Sequence, residues 1–294
     1  MSVLSPFIET FRYILQPIAP FTWFGTSIST LDVVATLRLC IVLRQIRDMQ
    51  IAQHKSLKKD VPVEPYSFVK NLATTLLVVY GGEAITGPFL GLTPSFMLSG
   101  VVPVLYAAGQ AIADNLPYVP GPSAQLEFPL SVVDGFTRAY LLCNLIPPSV
   151  TTSNSPLIAS SPWTLLITSL ITANAGFFLT NLFSFLNPTS MTVQTPPELQ
   201  AYGWTTTDLW CAPVTTALYA FLTHAQPFWA ELHLVLSQVL GSTSLKGTVE
   251  PLDPESARAV CALFLMTLFT TRTAHNFGLL KNINWKKEPK LKTQ

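Results

Sequence analysis

Five charged residues sit where charge is costly. Asp32, Arg38, Glu83, Asp134 and Arg138 each lie inside an otherwise apolar stretch. In hydrocarbon each would cost on the order of 3 kcal/mol, so each must face protein or water and find a partner. They are candidates for an ion or substrate pathway. The bland reading is neutralisation: Asp134 and Arg138, four apart, share a helix face, and Asp32 and Arg38 could reach opposite interfaces. Glu83 sits in YGGEAITGPFLG, beside Gly81 and Gly82 and ahead of Gly87, Pro88 and Gly91. Such a segment can unwind and free backbone carbonyls to line a cavity. Asn174, Gly176 and Asn181 lie in TANAGFFLTNLF. Asparagines seven apart share a face and offer neutral oxygens suited to a partly dehydrated cation. The competing reading is packing, with glycines admitting a neighbouring helix and asparagines bonding across it.

Other chemistry finds no footing. His54, His224, His233 and His275 are scattered and form no HExxH, histidine box or Cys-His metal spacing. No GxSxG elbow, P-loop or dinucleotide fingerprint occurs, so no enzyme, cofactor or metal site is expected. Cys40, Cys143, Cys211 and Cys261 fall in apolar segments and read as small hydrophobes rather than a disulfide framework. Asp208, Trp204 and Trp210 read as interfacial anchors.

The elements that must position these residues are membrane helices. The 294 residues are 49% hydrophobic and only 11% charged, with mean hydropathy +0.41. That is about half the charge of an average soluble domain. Trp163 to Leu186 runs 24 residues without Asp, Glu, Lys or Arg, and Pro94 to Ile112 runs 19. Each approaches the roughly 20 residues a helix needs to cross hydrocarbon. The fold class is therefore all-α, a multi-pass transmembrane bundle. Spans are expected at Phe21–Leu43, Ser67–Leu90, Pro94–Leu116, Phe128–Val150, Trp163–Leu186, Leu209–Phe228 and Ala257–Leu280, seven in all. Residues 1–20 form an amphipathic segment lying in the interface, 21–280 the membrane domain and 281–294 a basic tail. A second amphipathic stretch, Trp229 to Leu240, either extends the sixth helix or lies along the surface.

Charge sets the orientation. Ten of the seventeen Lys and Arg residues fall in Arg44 to Lys59 and Lys281 to Lys292. Both clusters belong on the cytoplasmic side, and seven spans put them there with the amino terminus lumenal. Such short flanking clusters point to anionic lipid at the basic loop and tail, and not to nucleic acid. Met1 to Pro20 lacks a cleavable signal pattern, so the first span is expected to serve as insertion signal. No usable glycosylation sequon occurs, because Pro follows Asn187 and Pro156 spoils the Asn154 site.

A three-span repeat is also visible. Asp, Arg and Cys occur in that order in LDVVATLRLCIVL and in VVDGFTRAYLLCNLI, while Pro103 and Tyr106 are echoed by Pro213 and Tyr219. Three-span units insert with opposite orientations and form an inverted pair, with span seven added. Chance likeness between apolar segments is the alternative.

On the seven-span plan, the YGG and GxxxGL pattern followed by PSFMLS, the Arg-bearing fourth span and ANAGFFLTNLFSFL, the chain resembles the trimeric intracellular cation channel family. The likeness runs over about Phe68 to Phe277. It implies a homotrimer of the endoplasmic reticulum in which each subunit passes potassium through its own pore, beside helices broken at Gly81, Gly82 and Gly176. The family's basic KEVxxR-like signature is replaced by VVDGFTRAY. Arg138 takes the arginine role as a gating or blocking charge, the lysine is missing, and phosphoinositide binding is in doubt. The expectation is thus a monovalent cation channel with Glu83, Asn174 and Asn181 polar along the pore. A secondary transporter, or an adaptor docking through its basic loop and tail, would use the same sequence features.

Overall fold

A computed structural model of the chain describes residues 3–57, 62–200, 206–240 and 249–279. Lys58, Lys59 and the tail 281–294 lie outside them. The described chain is all-α, with no strand and only two isolated β-bridges. Its helices are α1 (Ser5–Ile14), α2 (Thr30–Ser56), α3 (Phe68–Leu90), α4 (Ser95–Leu98), α5 (Val101–Asn115), α6 (Ala124–Tyr140), α7 (Ile146–Thr151), α8 (Pro156–Ala159), α9 (Pro162–Leu182), α10 (Thr207–Thr223), α11 (Pro227–Val239) and α12 (Pro254–Asn276).

Local chemistry sets several of these boundaries. The first expected span begins too early: Phe21 to Gly25 form a tight turn, and α2 starts only where Ser29 and Asp32 close a capping box. Gly91 ends α3 in the left-handed conformation, with φ 69°. The third expected span is two helices, because the backbone turns extended at Ser99 between α4 and α5. The fourth is α6 and α7 joined by a π-helical turn at Leu141–Leu145. Pro147 and Pro148 lack the N–H groups an α-helix would need two residues further on, so the register slips there. His224 stops α10 with φ 52°, and Pro227 restarts the chain as α11, so the second amphipathic stretch is a separate helix.

Contacts between side chains fix the directions of the long rods. Asn71 meets Asp114 and Thr75 meets Gln110, so α3 and α5 are antiparallel. Thr36 lies at Gly109 and Arg44 reaches the Ala113 carbonyl, so α2 and α5 run parallel. Antiparallel pairs follow for α9 with α10 (Asn174 to Leu209, Ser169 to Thr216), α10 with α12 (Asp208 to Arg272, Cys261 to the Thr215 carbonyl) and α6 with α12 (Ser131 to Thr273, Gly135 to Met266). The rods α2, α3, α5, α6–α7, α9, α10 and α12 therefore alternate in direction along the chain. One end gathers the starts of α3, α6 and α10 with the finishes of α2, α5, α9 and α12.

Seven spans are not read from hydropathy alone. Among the described helices, one, Pro162–Leu182, is both long and apolar enough to cross a membrane. α5, α6 and α10 have 15, 17 and 17 residues, short of the usual length, and α2 and α12 carry several charges. α1 packs its apolar stripe on α6 and α12, burying Phe11 completely against Phe136, Ala262 and Leu265. Arg12 reaches Glu255 at 2.6 Å on the outside of that contact.

The glycine-bearing helices meet directly. α3 is unbroken through Gly81 and Gly82, and α9 is unbroken through Gly176. A methyl on Gly82 would fall 2.2 Å from the Thr172 carbonyl oxygen, and one on Gly176 would fall 2.2 Å from that of Val78. The expected helix breaks are absent because the glycines serve approach and not unwinding. The contact is reciprocal: each glycine faces the residue four before the other.

Candidate functional site

Of the five deep charges, Arg38 and Asp134 meet between α2, α6, α10 and α12. Arg38 donates through Nε to Asp134 Oδ1 at 3.1 Å and through Nη2 to Asp134 Oδ2 at 2.9 Å and Glu127 Oε2 at 3.1 Å. The helix spacing that would join Asp134 to Arg138 is overridden. A bidentate, part-buried guanidinium from a neighbouring helix is the stronger partner for the carboxylate. Arg138 turns the other way and donates to Asn174 Oδ1 at 2.7 Å and the Asp208 carbonyl at 3.3 Å. Arg272 on α12 donates to Asp208 Oδ2 at 2.7 Å, and Asn181 donates to Glu198 Oε1 at 2.9 Å.

These groups border a cavity of about 490 Å³ at the end where α6 and α10 begin. Glu127, Asp134, Glu198 and Asp208 line it, opposed by Arg38 and Arg272. Four carboxylates thus face two guanidiniums, and the Glu198 Oε2 atom is buried without a hydrogen-bond partner. The lining thus carries two more acidic than basic side chains, and each carboxylate is held by a donor. Among the described residues no three His, Cys, Asp or Glu side chains are grouped to hold a metal ion.

Not every residue singled out in the sequence belongs here. Glu83 lies at the opposite end and accepts from the Ser95 backbone N–H and hydroxyl, both at 2.7 Å, pinning the start of α4. Asp32 accepts from the Ser29 backbone N–H and hydroxyl as part of the α2 cap. Asn174 and Asn181 do not converge on one point, since Arg138 occupies the first and Glu198 the second. Gly81, Gly82 and Gly176 form the α3–α9 contact. The cavity therefore keeps Arg38 and Asp134, with Arg138, Asn174 and Asn181 adjoining it, and releases Asp32, Glu83 and the glycines.

The sequence pattern does not single out Glu127, Glu198, Arg258 or Arg272, and it marks Asp208 only as an anchor. The rule that marks Arg38 as a buried charge would also mark Arg258 and Arg272, because both lie within Ala257–Leu280. Arg258 is only 6% exposed, donates to Asn144 Oδ1 at 3.1 Å and stands 4.5 Å over the Phe11 ring. Nothing local marks Glu198, which enters from the connection between α9 and α10.

A second cavity, about 420 Å³, opens at the same end beside the basic part of α2. Its arginines are engaged: Arg44 bonds the Ala113 and Leu116 carbonyls, and Arg47 lies 3.6 Å from Asp114. Lys70 pairs with Glu64 at 2.6 Å.

Compared with known proteins, the chain matches no family model, no curated protein and no solved structure.

Proposed function

We propose that the chain is a multi-pass membrane protein that conducts monovalent cations, potassium among them, through a path inside each subunit that begins at the acidic cavity. The observation that carries this reading is that Glu127, Asp134, Glu198 and Asp208 line one cavity of about 490 Å³ between rods of alternating direction. Intramembrane charges of this kind mark ion pathways. Arg138, adjoining the cavity through the Asp208 carbonyl, is the gating or blocking charge.

The reciprocal contact of Gly82 with Thr172 and Gly176 with Val78 supports two inverted three-helix units, α2, α3, α5 and α6–α7, α9, α10, with α12 added. A contact in which each side presents equivalent positions is the mark of two-fold symmetry. Thr75 to Gln110 in the first unit and Ser169 to Thr216 in the second extend the correspondence. The unbroken α3 and α9 move the pathway away from those helices and toward α6, α10 and α12. The basic clusters favour a cytoplasmic cavity and a lumenal amino terminus. The family resemblance favours a homotrimer of the endoplasmic reticulum, with anionic lipid at the basic loop.

Purified protein in planar bilayers is expected to pass potassium in unitary steps, and Asp208→Asn is expected to lower selectivity for potassium over chloride. Saturable flux without unitary currents would make the protein a carrier instead. Silence from folded, oriented protein would remove both readings.

A further inference from the structure

The chain between Pro17 and Ser29 folds as a small hairpin whose three aromatic residues are half to fully exposed. Ile18 N–H donates to the Ile28 carbonyl at 2.9 Å, and Trp23 and Thr26 exchange backbone hydrogen bonds of 2.8 and 2.9 Å. The two tip residues have positive φ, 46° for Phe24 and 83° for Gly25, as in a type I′ turn. Its first position normally takes Asn, Asp or Gly, and a bulky aromatic residue there is strained. Phe24 is nevertheless 98% exposed, so the strain is not repaid by contacts within the subunit. Phe21 and Trp23, 55% and 45% exposed, lie beside it with their rings tilted 59° to each other and centroids 5.1 Å apart.

The surroundings specify the occupant. No Asp, Glu, Lys or Arg occurs between Arg12 and Asp32. The Thr26 hydroxyl is tied to that of Ser99 at 3.1 Å, which sets the hairpin beside Met97 and Leu98, 68% and 72% exposed. An uncharged aromatic tip joined to an apolar rim matches the boundary between headgroups and acyl chains, where Trp and other aromatic rings collect.

We propose that this hairpin is a lipid-inserting wedge, with Phe24 dipping into the leaflet at the end where α2 begins. The inference rests on the membrane reading above and goes beyond it, because the hairpin is not part of any crossing helix.

The four native cysteines are free and buried, so an added surface cysteine can be labelled selectively. Phe24→Cys, Val104→Cys on exposed α5 and Glu250→Cys in the linker would each carry an environment-sensitive fluorophore in phosphatidylcholine proteoliposomes, with and without brominated acyl chains. The expected result is about twofold quenching by brominated lipid at positions 24 and 104 and none at 250. Quenching at 104 but not 24 overturns the wedge and leaves the membrane reading standing. Quenching at neither overturns both. A blue-shifted but unquenched label at 24 means that protein, such as a second copy of the chain, covers the tip, which also overturns the wedge.

Discussion

The contact between α3 and α9 yields the sharpest stability prediction, because the packing and helix-break readings of its glycines give opposite signs. Alanine at Gly82 or Gly176 brings a methyl to 2.2 Å from a backbone carbonyl oxygen, against an ordinary contact near 3.4 Å. The obstacle is helix backbone and not a flexible side chain, so the two rods must part by about 1 Å. Overpacking of this kind costs roughly 1–3 kcal/mol, while replacing a helical glycine by alanine returns up to about 1 kcal/mol. Each single variant is therefore expected to lose about 1 kcal/mol net. Parting also strains the 2.9 Å bond between Thr86 and Thr172. The double variant is the decisive case. Both methyls need the same separation, so the second is expected to add less than the first. Buried Cys40, Cys143, Cys211 and Cys261 make a thiol-reactive dye a direct thermal readout, and Gly100→Ala, with nothing within 4 Å, is the control. Single variants more stable than the parent, or strictly additive losses, would refute the packing argument.

Two further outcomes follow. Arg38→Met leaves Asp134 and Glu127 without their guanidinium and should cost about 2 kcal/mol, a buried-pair loss discounted because Asp134 keeps 32% exposure; adding Glu127→Gln and Asp134→Asn to that variant should recover part of the loss in the same thermal assay. Asp253 caps α12, and hydrogen bonds from Ser256, assisted by the Glu255 backbone N–H, hold its carboxyl below the usual value of 3.8. Asp253→Ala should cost about 1 kcal/mol at neutral pH. Because the folded value is the lower one, that contribution is complete above 3.8 and fades as pH falls through the folded value, so parent and variant should converge in acid. A gap that persists there would contradict the assignment.

Helix positions were largely legible because apolar runs and caps are local. Ser67 begins α3 and Gly91 ends it where the sequence places those signals, and α9 starts at Pro162 beside the expected Trp163. The errors fall where a helix is interrupted without losing hydrophobicity. Ser99 and the π turn at Leu141–Leu145 are ordinary residues in apolar surroundings, and their effect depends on neighbouring prolines and tertiary contacts. Phe21 to Gly25 is apolar enough to read as the start of a helix, yet the hairpin bonds of Trp23 and Thr26 win over helix propensity.

Side-chain partnerships were less legible, for a reason that also bears on function. Spacing along one helix offers only i+3 and i+4 neighbours, each worth a few tenths of a kcal/mol, whereas a partner from another helix can bring a bidentate bond in a drier setting. Asp134 accordingly takes Arg38, 96 residues away, and leaves Arg138 to Asn174. That exchange separates one guanidinium paired with two acids from another whose side-chain partner is a neutral amide. On the proposed path, a cation in the acidic cavity would have this second guanidinium adjoining it, with no carboxylate hydrogen-bonded to it. Arg138 is thus the guanidinium beside the cavity whose hydrogen-bond partners are an amide and a backbone carbonyl, which is why the gating role is proposed for it.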